Sequence, residues 1–481
     1  METTAASRFP DRPQFSGFMK PCRVEGNVEH LEVLGEIPKN IDGTFYRVMP
    51  DPQLPPYIQD DPWFNGDGNI SAFKIKDGKY RNKFTDAVEF KVRSTANTNV
   101  VFFNGQLLAL KEDSPPYALD PTTLETKGLH TFGGLLSSLT FTAHPKFDPK
   151  TGEMICFGYE AKGDGTPDIC YYNVTPAGEF SQTLWLVAPV VAMIHDFAVT
   201  DNWVLFPLIP QLCDIDRLKQ GGEHWQWSAD TPFYVGLLPR RGAIPSDVKW
   251  FQYKNSFPGH TANAYEDDEG QVVFDVGLSE KNVFFWWPDS QGNAPAPSSI
   301  HSQLTRFIIN PRSNNLELDY PEVLHSGNSE FYRIDDRFAT RKYRHCFFNS
   351  MIPELGTDFP KIAPKLGGGY PLYNSLTHYD IMTGNSDVYC PGTTHMVQEP
   401  VFIPRKGSTE EADGYILVLV NNYDTMNSEL HLLDTKSFER PQAVILLPLR
   451  LRQGLHGNWV DADDLRSSGE WPERVVTGTD D

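Results

Sequence analysis

The sequence lacks an apolar run long enough to cross a membrane. Its longest runs, residues 184–194 and 415–420, fall well short of the roughly 20 residues that a membrane-spanning helix needs. The chain also opens without a positively charged segment followed by an apolar run, so no secretory signal is predicted. We therefore expect a soluble, cytoplasmic protein without stable membrane insertion.

Paired cysteines and excess basic residues are missing as well. None of the six cysteines forms a C-x-x-C pair, which excludes a zinc knuckle and a thioredoxin-type motif, and reduced thiols are expected in the cytoplasm. The 42 Lys and Arg residues are outnumbered by 63 Asp and Glu residues, giving a net charge of −21. Because nucleic acids attract a basic face, we expect no nucleic-acid partner.

Long amphipathic helices are absent, and hairpin signals take their place. Residues 100–103, Asn104-Gly105 and residues 106–110 have the pattern of a strand, a type I′ turn and a second strand. Similar patterns recur along the chain, for example around residues 148–152, 201–202, 267–270, 382–386 and 421–422. Many short strands in so long a chain favour a closed all-β architecture, and a degenerate β-propeller fits better than a sandwich. We predict one domain at residues 17–466 between polar tails at 1–16 and 467–481.

Four of the thirteen histidines stand at or beside predicted strand ends, mostly with small neighbours: His144, His195, His260 and His456. No helix or hairpin could gather residues so far apart in sequence. The inner strands of a propeller could, because they all face one axis. Imidazole nitrogens suit iron, zinc or copper. Four neutral imidazoles would leave a divalent ion its full charge and room for dioxygen.

The chain also contains motifs that are characteristic of one family when they occur in this order. They are the segments 35–47 and 63–68 (Trp-Phe-Asn-Gly-Asp-Gly), the four histidine contexts, and Glu399-Pro400 followed by residues 402–405. In these the chain resembles, over residues 17–461, the carotenoid cleavage oxygenase family. Within that family it is similar to the stilbene-cleaving branch of fungal resveratrol-cleaving and bacterial lignostilbene dioxygenases.

The resemblance implies a seven-bladed β-propeller, capped by loops and short helices on its active-site face, with Fe(II) bound by the four histidines. It implies that Glu112, Glu330 and Glu399 accept the second ring N–H of three ligands, which fixes the tautomer and strengthens the donor. It further implies that Tyr80 and Lys111 contact the phenol of the substrate. Phe64 and Phe331 are candidate walls of the pocket.

The implied reaction is cleavage by O₂ of the interphenyl double bond of a 4-hydroxylated stilbenoid such as resveratrol, to two aromatic aldehydes. Alternatives are cleavage of another alkene, such as isoeugenol or an apocarotenoid, or an inactive propeller that serves as a binding protein. The inactive propeller is an alternative because relatives carry an additional strand and an Arg-rich turn where this chain joins Gly78 directly to Lys79. The sequence leaves the oligomeric state open.

Overall fold

The fold is given by a computed structural model that describes residues 9–29, 31–56, 59, 61–76, 79–86, 94–367 and 372–467, with only the backbone described at 29, 79–86 and 467. The strands in these ranges are, in chain order, β1 Gly26–Glu29, β2 Glu32–Gly35, β3 Gly43–Pro50, β4 Gly68–Lys76, β5 Lys79–Asp86, β6 Asn99–Phe103, β7 Gln106–Leu110, β8 Tyr117–Leu119, β9 Thr126–Leu129, β10 Lys146–Phe147, β11 Met154–Tyr159, β12 Asp168–Val174, β13 Phe180–Val187, β14 Ala192–Met193, β15 Ala198–Val199, β16 Trp203–Leu212, β17 Gln226–Trp227, β18 Phe233–Pro239, β19 Lys249–Tyr253, β20 Phe257–Glu266, β21 Val272–Ser279, β22 Gln303–Ile309, β23 Glu322–His325, β24 Asn328–Arg333, β25 His345–Met351, β26 Ser375–Asp380, β27 Asn385–Tyr389, β28 His395–Pro404, β29 Gly414–Asn422, β30 Asn427–Asp434, β31 Pro441–Leu446 and β32 Gly457–Asp461.

Helices are few and short in the same ranges. The α-helices are α1 Ile215–Lys219, α2 Phe359–Leu366 and α3 Ala462–Ser467. Single 3₁₀ turns lie at Pro13–Phe15, Gly17–Met19, Trp63–Asn65, Phe132–Gly134, Pro245–Asp247, Pro297–Ser299, Asp336–Phe338 and Pro353–Leu355. None of the described helices has the length and apolar character needed to span a membrane.

The strands form seven antiparallel sheets, which are the blades of a β-propeller. In spatial order the blades are β32-β3-β4-β5-β1 (blade one), β6-β7-β8-β9 (two), β10-β11-β12-β13 (three), β14-β16-β18-β19 with β15 and β17 also paired to β16 (four), β20-β21-β22-β23 (five), β24-β25-β26-β27 (six) and β28-β29-β30-β31-β2 (seven). The predicted seven-bladed fold is therefore confirmed.

The two ends of the chain close the ring. The last strand, β32, pairs with β3 and becomes the inner strand of blade one, while β2 pairs with β31 at the outer edge of blade seven. Around the axis, β20 contacts β24, β24 contacts β28, β28 contacts β32 and β32 contacts β6. Such closure removes open sheet edges between the first and last blades.

Apolar strands fill the space between neighbouring blades. All nine residues of β29 are buried, because the middle of a blade packs against another blade on both faces. Between blades three and four, for instance, Phe157 of β11 packs against Phe206 of β16, and both side chains are fully buried. Strands near the rim carry polar residues instead, as in β27, where three consecutive residues are exposed. This pattern accounts for the many short strands that the sequence predicts.

Two details bear on the sequence predictions. Asn104 and Gly105 both have positive φ, 46° and 81°, as the two central residues of a type I′ turn require, so that hairpin is confirmed. Phe15, inside the predicted N-terminal tail, is buried against the first turns of the chain, since an aromatic ring gains from leaving water. The tail residues 1–8 and 468–481 lie outside the described residues, and the domain limits stay a prediction.

Candidate metal centre

The four histidines come from the inner edges of four blades. His260 lies in β20, His144 lies two residues before the start of β10, and His456 directly precedes β32. His195 lies between the short strands β14 and β15 of blade four. Because inner strands line the propeller axis, residues separated by up to 196 positions meet there, in what we name the four-histidine cluster.

The ring nitrogens of the cluster converge on one point. One ligand atom from each histidine lies within 4.8 Å of those of the other three. The Nε2 atom of His260 is 3.2 Å from Nε2 of His195 and 3.1 Å from Nε2 of His456. The ring of His144 lies edge-on to the other three, with a centroid distance of 4.4 Å to His456. This convergence is the central feature of the site.

Buried carboxylates fix two of these rings from behind. His260 donates from Nδ1 to Glu330 Oε2 at 2.5 Å and from its backbone N–H to Oε1 at 3.0 Å. His456 donates from Nδ1 to Glu399 Oε1 at 2.9 Å, and the backbone N–H of Gly457 donates to Oε2 at 3.0 Å. Each Nδ1 carries the proton in these bonds, so Nε2 presents a lone pair to the centre.

A third carboxylate holds His195 in the same way. The Nδ1 of His195 donates to Glu112 Oε1, and the hydroxyl of Tyr159 donates to Oε2 at 2.5 Å. Glu112 lies two residues after the end of β7 in blade two, whereas His195 belongs to blade four. The structure thus places Glu112, Glu330 and Glu399 each beside one histidine of the cluster, and Tyr159 is an additional neighbour that the resemblance did not name.

Burial and charge act differently on these groups. Burial raises the pKa of Glu330 and of Glu399, but their histidine partners, and for Glu399 also Arg333, outweigh it, so both pKa values are lowered. Burial, followed by the three neighbouring histidines, moves the pKa of His144 well below its usual range. At neutral pH His144 is therefore an uncharged imidazole.

The donor set fits a transition-metal ion. Two imidazole nitrogens bound at about 2.0–2.1 Å to one ion at a right angle are about 3.0 Å apart, close to the observed 3.1 and 3.2 Å. Without an ion these lone pairs would face and repel one another. His144 Nε2 is buried and has no hydrogen-bond partner among the described residues, as a nitrogen reserved for a metal would be.

Three β-bulges coincide with residues of this site. The register of β20 shifts between Pro258 and Thr261, around His260. In β24 it shifts between Glu330 and Arg333, and in β28 between Val397 and Pro400, around Glu399. A bulge bends its strand and re-aims a side chain. The bulges therefore let inner strands that pair regularly elsewhere direct these side chains to the axis.

Aromatic side chains cover one side of the cluster. Phe331, held at a φ of 60°, stacks on His260 with ring centroids 5.0 Å apart. Beside His195, Phe284 lies edge-on to the imidazole, with ring centroids 6.2 Å apart. Phe284 also packs against Trp286 and Trp287, and both tryptophans pack against Phe64. We call Phe64, Phe284, Trp286 and Trp287 the aromatic wall.

Lys111 is connected to the backbone of Phe64 through one short segment, residues 95–97. Its Nζ donates to Thr95 Oγ1 at 2.9 Å and lies 3.5 Å from Asp113. Two residues after Thr95, the side-chain amide of Asn97 donates to the backbone oxygen of Phe64 at 2.5 Å. The residue after Lys111 is Glu112, which holds His195. The structure thus brings Lys111, Phe64 and Phe331 to the surroundings of the cluster.

The register of β5 does not bring Tyr80 there. Tyr80 pairs with Ile75, whereas the segment next to Lys111 meets the opposite end of β4, where Gly68 donates to the backbone oxygen of Thr95 at 2.7 Å. The seven steps along β4 from Gly68 to Ile75 span about 23 Å of strand. The junction residues Asp77 and Gly78 lie outside the described residues, and the contact between Tyr80 and a substrate stays a prediction.

A cavity of about 480 Å³ that several charged side chains line also reaches the cluster. Its lining includes His144, His260 and His456, but none of Phe64, Phe331 and Lys111. Lys146, which pairs with Asp196 at 2.7 Å, is among the charged residues that line it. The cluster therefore lies between an aromatic surface and a cavity with charged residues in its lining.

Sequence reasoning missed several neighbours of the site. Trp286 and Trp287 belong to the run Phe284-Phe285-Trp286-Trp287, and four consecutive aromatics were a usable signal for a pocket wall. Arg333, whose Nη1 is 3.6 Å from Glu399 Oε1, and Tyr159 had no such signal. Their roles depend on which strands become neighbours.

Comparison with known proteins points to one family. The sequence profile of the family described as "Retinal pigment epithelial membrane protein" (RPE65) matches residues 19–461. The chain is 71% identical to "Resveratrol cleavage oxygenase 1" of Aspergillus fumigatus, over 96% of this chain and 98% of that one. It is 53% identical to "Carotenoid cleavage oxygenase 1" of Neurospora crassa, over 96% of this chain and 93% of that one.

A solved structure gives the same result. The lignostilbene dioxygenase of Pseudomonas brassicacearum superimposes with a TM-score of 0.91 at 40% identity, over 95% of this chain and 100% of that one. The alignment with the Aspergillus relative has 490 positions, and 96% of 481 residues is about 462. About 28 aligned positions (490 less 462) thus have no residue in this chain, as expected if the segment after Gly78 is shortened.

Proposed function

Because the chain belongs to the RPE65/carotenoid oxygenase family, we propose that it is a non-haem iron(II) dioxygenase that cleaves the interphenyl double bond of 4-hydroxylated stilbenoids. Resveratrol is the model substrate. The observation that carries the proposal is the convergence of four imidazoles, three of them held by carboxylates, beside an aromatic wall.

The chemistry balances without a further cofactor. Both bonds of the alkene break, each carbon takes one oxygen atom of O₂, and two aldehydes form without net uptake of protons or electrons. Iron(II), held by His144, His195, His260 and His456, would supply the one-electron chemistry that lets ground-state dioxygen react with a closed-shell alkene. The protein has no large developing charge to neutralise, so positioning supplies most of its contribution.

The carboxylates determine how the imidazoles act. Glu112, Glu330 and Glu399 keep the proton on Nδ1 of their histidine partners. The Nε2 atom of each of these three histidines therefore keeps a lone pair for the metal ion. The three negative charges offset those of a divalent ion and of the guanidinium of Arg333. Four neutral ligands leave coordination positions for a small molecule, unlike the closed tetrahedral sites of structural zinc.

The aromatic side of the cluster suits a flat substrate with a phenol at one end. Phe331 and the aromatic wall offer faces and edges for two aryl rings. We propose that the Lys111 ammonium binds the phenol oxygen and favours the phenolate, which pushes electron density onto the alkene. Tyr80 is proposed as the second phenol contact, which requires it to leave the position it has in β5.

The proposal includes a location and a domain limit. We keep the cytoplasm as the site of action, and one propeller domain at residues 17–466 between polar tails, as the sequence predicts. A small aromatic alkene and O₂ are the partners; neither involves nucleic acid.

The direct test is aerobic turnover of resveratrol by the iron(II)-loaded full chain, with products identified by mass spectrometry. We expect 3,5-dihydroxybenzaldehyde and 4-hydroxybenzaldehyde in equal amounts. Isoeugenol is the comparison substrate, and its turnover to an aryl aldehyde in place of resveratrol cleavage would overturn the stilbene assignment. A second form, with the corresponding segment of the Aspergillus relative inserted between Gly78 and Lys79, separates the chemistry from the junction. If that folded, iron-loaded form also yields no aldehyde from resveratrol, the proposed function is wrong.

A further inference from the structure

A second group of metal-ligating side chains lies outside the four-histidine cluster. Glu160 follows β11 at the hairpin of blade three, Cys213 follows β16 of blade four, and His224 lies between α1 and β17. One potential ligand atom of each lies within 4.8 Å of those of the other two. Together they form what we call the Cys–His–Glu cluster.

The cluster is largely shielded from water and its groups face one another. Glu160 and Cys213 are each 7% exposed, and the side chain of His224 is 32% exposed. His224 Nε2 donates to Glu160 Oε2 at 2.8 Å, while Glu160 Oε1 accepts the backbone N–H of Gly165 at 2.6 Å. The thiol of Cys213 is free. One side of the cluster, at His224, therefore remains open to a small ligand.

The loop that carries two of the ligands is tightly organised. Asp214, next to Cys213, accepts N–H bonds from residues 216 and 217 at the start of α1. The guanidinium of Arg217 donates to the backbone oxygens of Leu212 and His224, at 2.7 and 2.9 Å. These bonds tie the chain before Cys213 to His224 itself. The backbone at both ligands is thus held by contacts that a metal ion would not have to form, while the side chains can still adjust.

We propose that Glu160, Cys213 and His224 form a second metal site, which takes a borderline divalent ion of the zinc type and keeps one coordination position for water. A thiolate, an imidazole and a carboxylate are together the ligands that zinc accepts, whereas magnesium and calcium require oxygen donors throughout. One thiolate and one carboxylate balance the two charges of the ion. The ligands therefore form a neutral site in a partly buried place.

Ion binding replaces protons at this site. Burial, and next the Glu160 carboxylate, raise the pKa of the Cys213 thiol to about 12, so the metal-free thiol is protonated at neutral pH. Burial lowers the pKa of His224, but the Glu160 carboxylate outweighs it and raises the pKa overall. The ion displaces the Cys213 thiol proton to solvent, and the proton on His224 Nε2 moves to Nδ1 or, from the imidazolium, to solvent, so the affinity for the ion rises with pH.

The geometry needs only a small adjustment. Two ligands of a tetrahedral ion, each at about 2.0–2.1 Å, are about 3.3 Å apart, so His224 Nε2 and Glu160 Oε2 must separate by about 0.5 Å. His224 is the most exposed of the three and can make that movement. The residue before Glu160 is Tyr159, which donates to Glu112 behind His195, so the second site lies one residue from the support of the first.

Cobalt(II) is the probe for this site, because a thiolate ligand gives cobalt a charge-transfer absorption that a set of four histidines cannot give. Cobalt(II) is added to the full chain carrying one equivalent of iron(II), with dioxygen excluded. We expect one equivalent of cobalt to produce the thiolate band, zinc to remove it by competition, and magnesium to leave it unchanged.

Variants then identify the ligands. Cys213→Ser should abolish the band, and Cys390→Ser, which alters a more exposed thiol, should retain it. His224→Ala leaves the thiol in place and should weaken cobalt binding at least ~10-fold. The absence of a thiolate band in the wild-type chain, or its persistence in Cys213→Ser, would overturn the proposal. So would cobalt affinity in His224→Ala equal to that of the wild type.

Discussion

The carboxylates behind the histidines differ in what else they bind, and this predicts different responses to the same substitution. Among the described residues, Glu330 accepts only from fixed N–H groups: Nδ1 and the backbone of His260, and the backbone of Phe331 at 2.7 Å. Glu112 accepts from His195 and from the hydroxyl of Tyr159. A hydroxyl can rotate and accept a hydrogen bond, whereas an N–H cannot. Glutamine should therefore be tolerated better at position 112 than at position 330.

The size of the difference follows from counting donors. A glutamine at position 112 can accept from His195 with its oxygen and donate to Tyr159 with its NH₂. At position 330 either orientation of the amide leaves at least one buried N–H facing an NH₂ group, which costs about 1–3 kcal/mol. This cost is present with or without metal, so it affects folding. With an unfolding entropy of about 2.1 cal/mol/K per residue, it lowers the Tm of a chain of 481 residues by about 1–3 °C.

Metal affinity should fall in both variants, because both lose the charge that supports an imidazole. Losing such a partner costs about 10–100-fold in affinity, equivalent to roughly 1.4–2.7 kcal/mol. The measurements are thermal unfolding of the metal-free chain and competition for iron(II) with a chelator of known affinity. Glu322→Gln, an exposed residue of β23, is the matched control and should change neither quantity.

Two results would refute this reasoning. If Glu112→Gln lowers the Tm as much as Glu330→Gln does, the hydroxyl of Tyr159 does not adapt as proposed. If Glu330→Gln binds iron(II) as tightly as the wild type, the carboxylate does not support His260 as a ligand.

Three further predictions concern other parts of the chain. A Cβ atom at residue 259 would lie 1.9 Å from Glu330 Oε1, so Gly259→Ala should displace Glu330 and weaken iron(II) binding about 10-fold or more in chelator competition, whereas Gly26→Ala, which has open space around it, should not. Lys111→Met should lower kcat/KM at least ~10-fold for resveratrol but not for its 4′-methyl ether. The control Lys127→Met alters a lysine of similar exposure (27% against 20%) and should change kcat/KM for neither substrate. Equal losses on both substrates in Lys111→Met would contradict the phenol contact. Burial, and next His345, lower the pKa of His378 to about 4. On acidification from about pH 6.5 the unfolded state therefore takes up the proton first, and the free energy of unfolding falls by at most about 3 kcal/mol by pH 4. His378→Phe, which keeps the stacking on Phe347, should reduce that loss in urea unfolding measured across this pH range, and an unchanged pH dependence would contradict the assignment.

The all-β architecture could be predicted from the sequence because each hairpin is determined by residues that are close together in the chain. Turn residues such as Asn104-Gly105 and alternating burial are decided by neighbours in the chain, so strand positions could be predicted. The number of blades came from resemblance, since the blades have no visible common repeat. The four-histidine cluster was found because small residues and strand ends surround each histidine.

What the sequence could not supply depends on register. The sequence of residues 328–333 does not predict a bulge at Phe331. The bulge and the positive φ of Phe331 nevertheless turn Glu330 toward His260. The contact between Tyr159 and Glu112 requires blades two and three to be adjacent. The same is true of Glu160, Cys213 and His224, each of which taken alone is an ordinary residue. Long-range proximity of this kind follows from the closed ring and from no local pattern.

The shortened junction should affect turnover more than metal binding, for a reason that lies in the propeller itself. Three of the four histidines belong to blades three, four and five, and the fourth precedes β32, which is held by β3 at the inner side of blade one. The junction lies between β4 and β5, further out in that blade. With β5 paired to β4 throughout, Tyr80 is fixed opposite Ile75 and cannot also reach the end of the blade near Lys111. An inserted strand would take the place of β5 beside β4 and release residues 79–86 for that position. Iron(II) affinity should therefore be equal with and without the insertion, and only the turnover of phenolic substrates should rise.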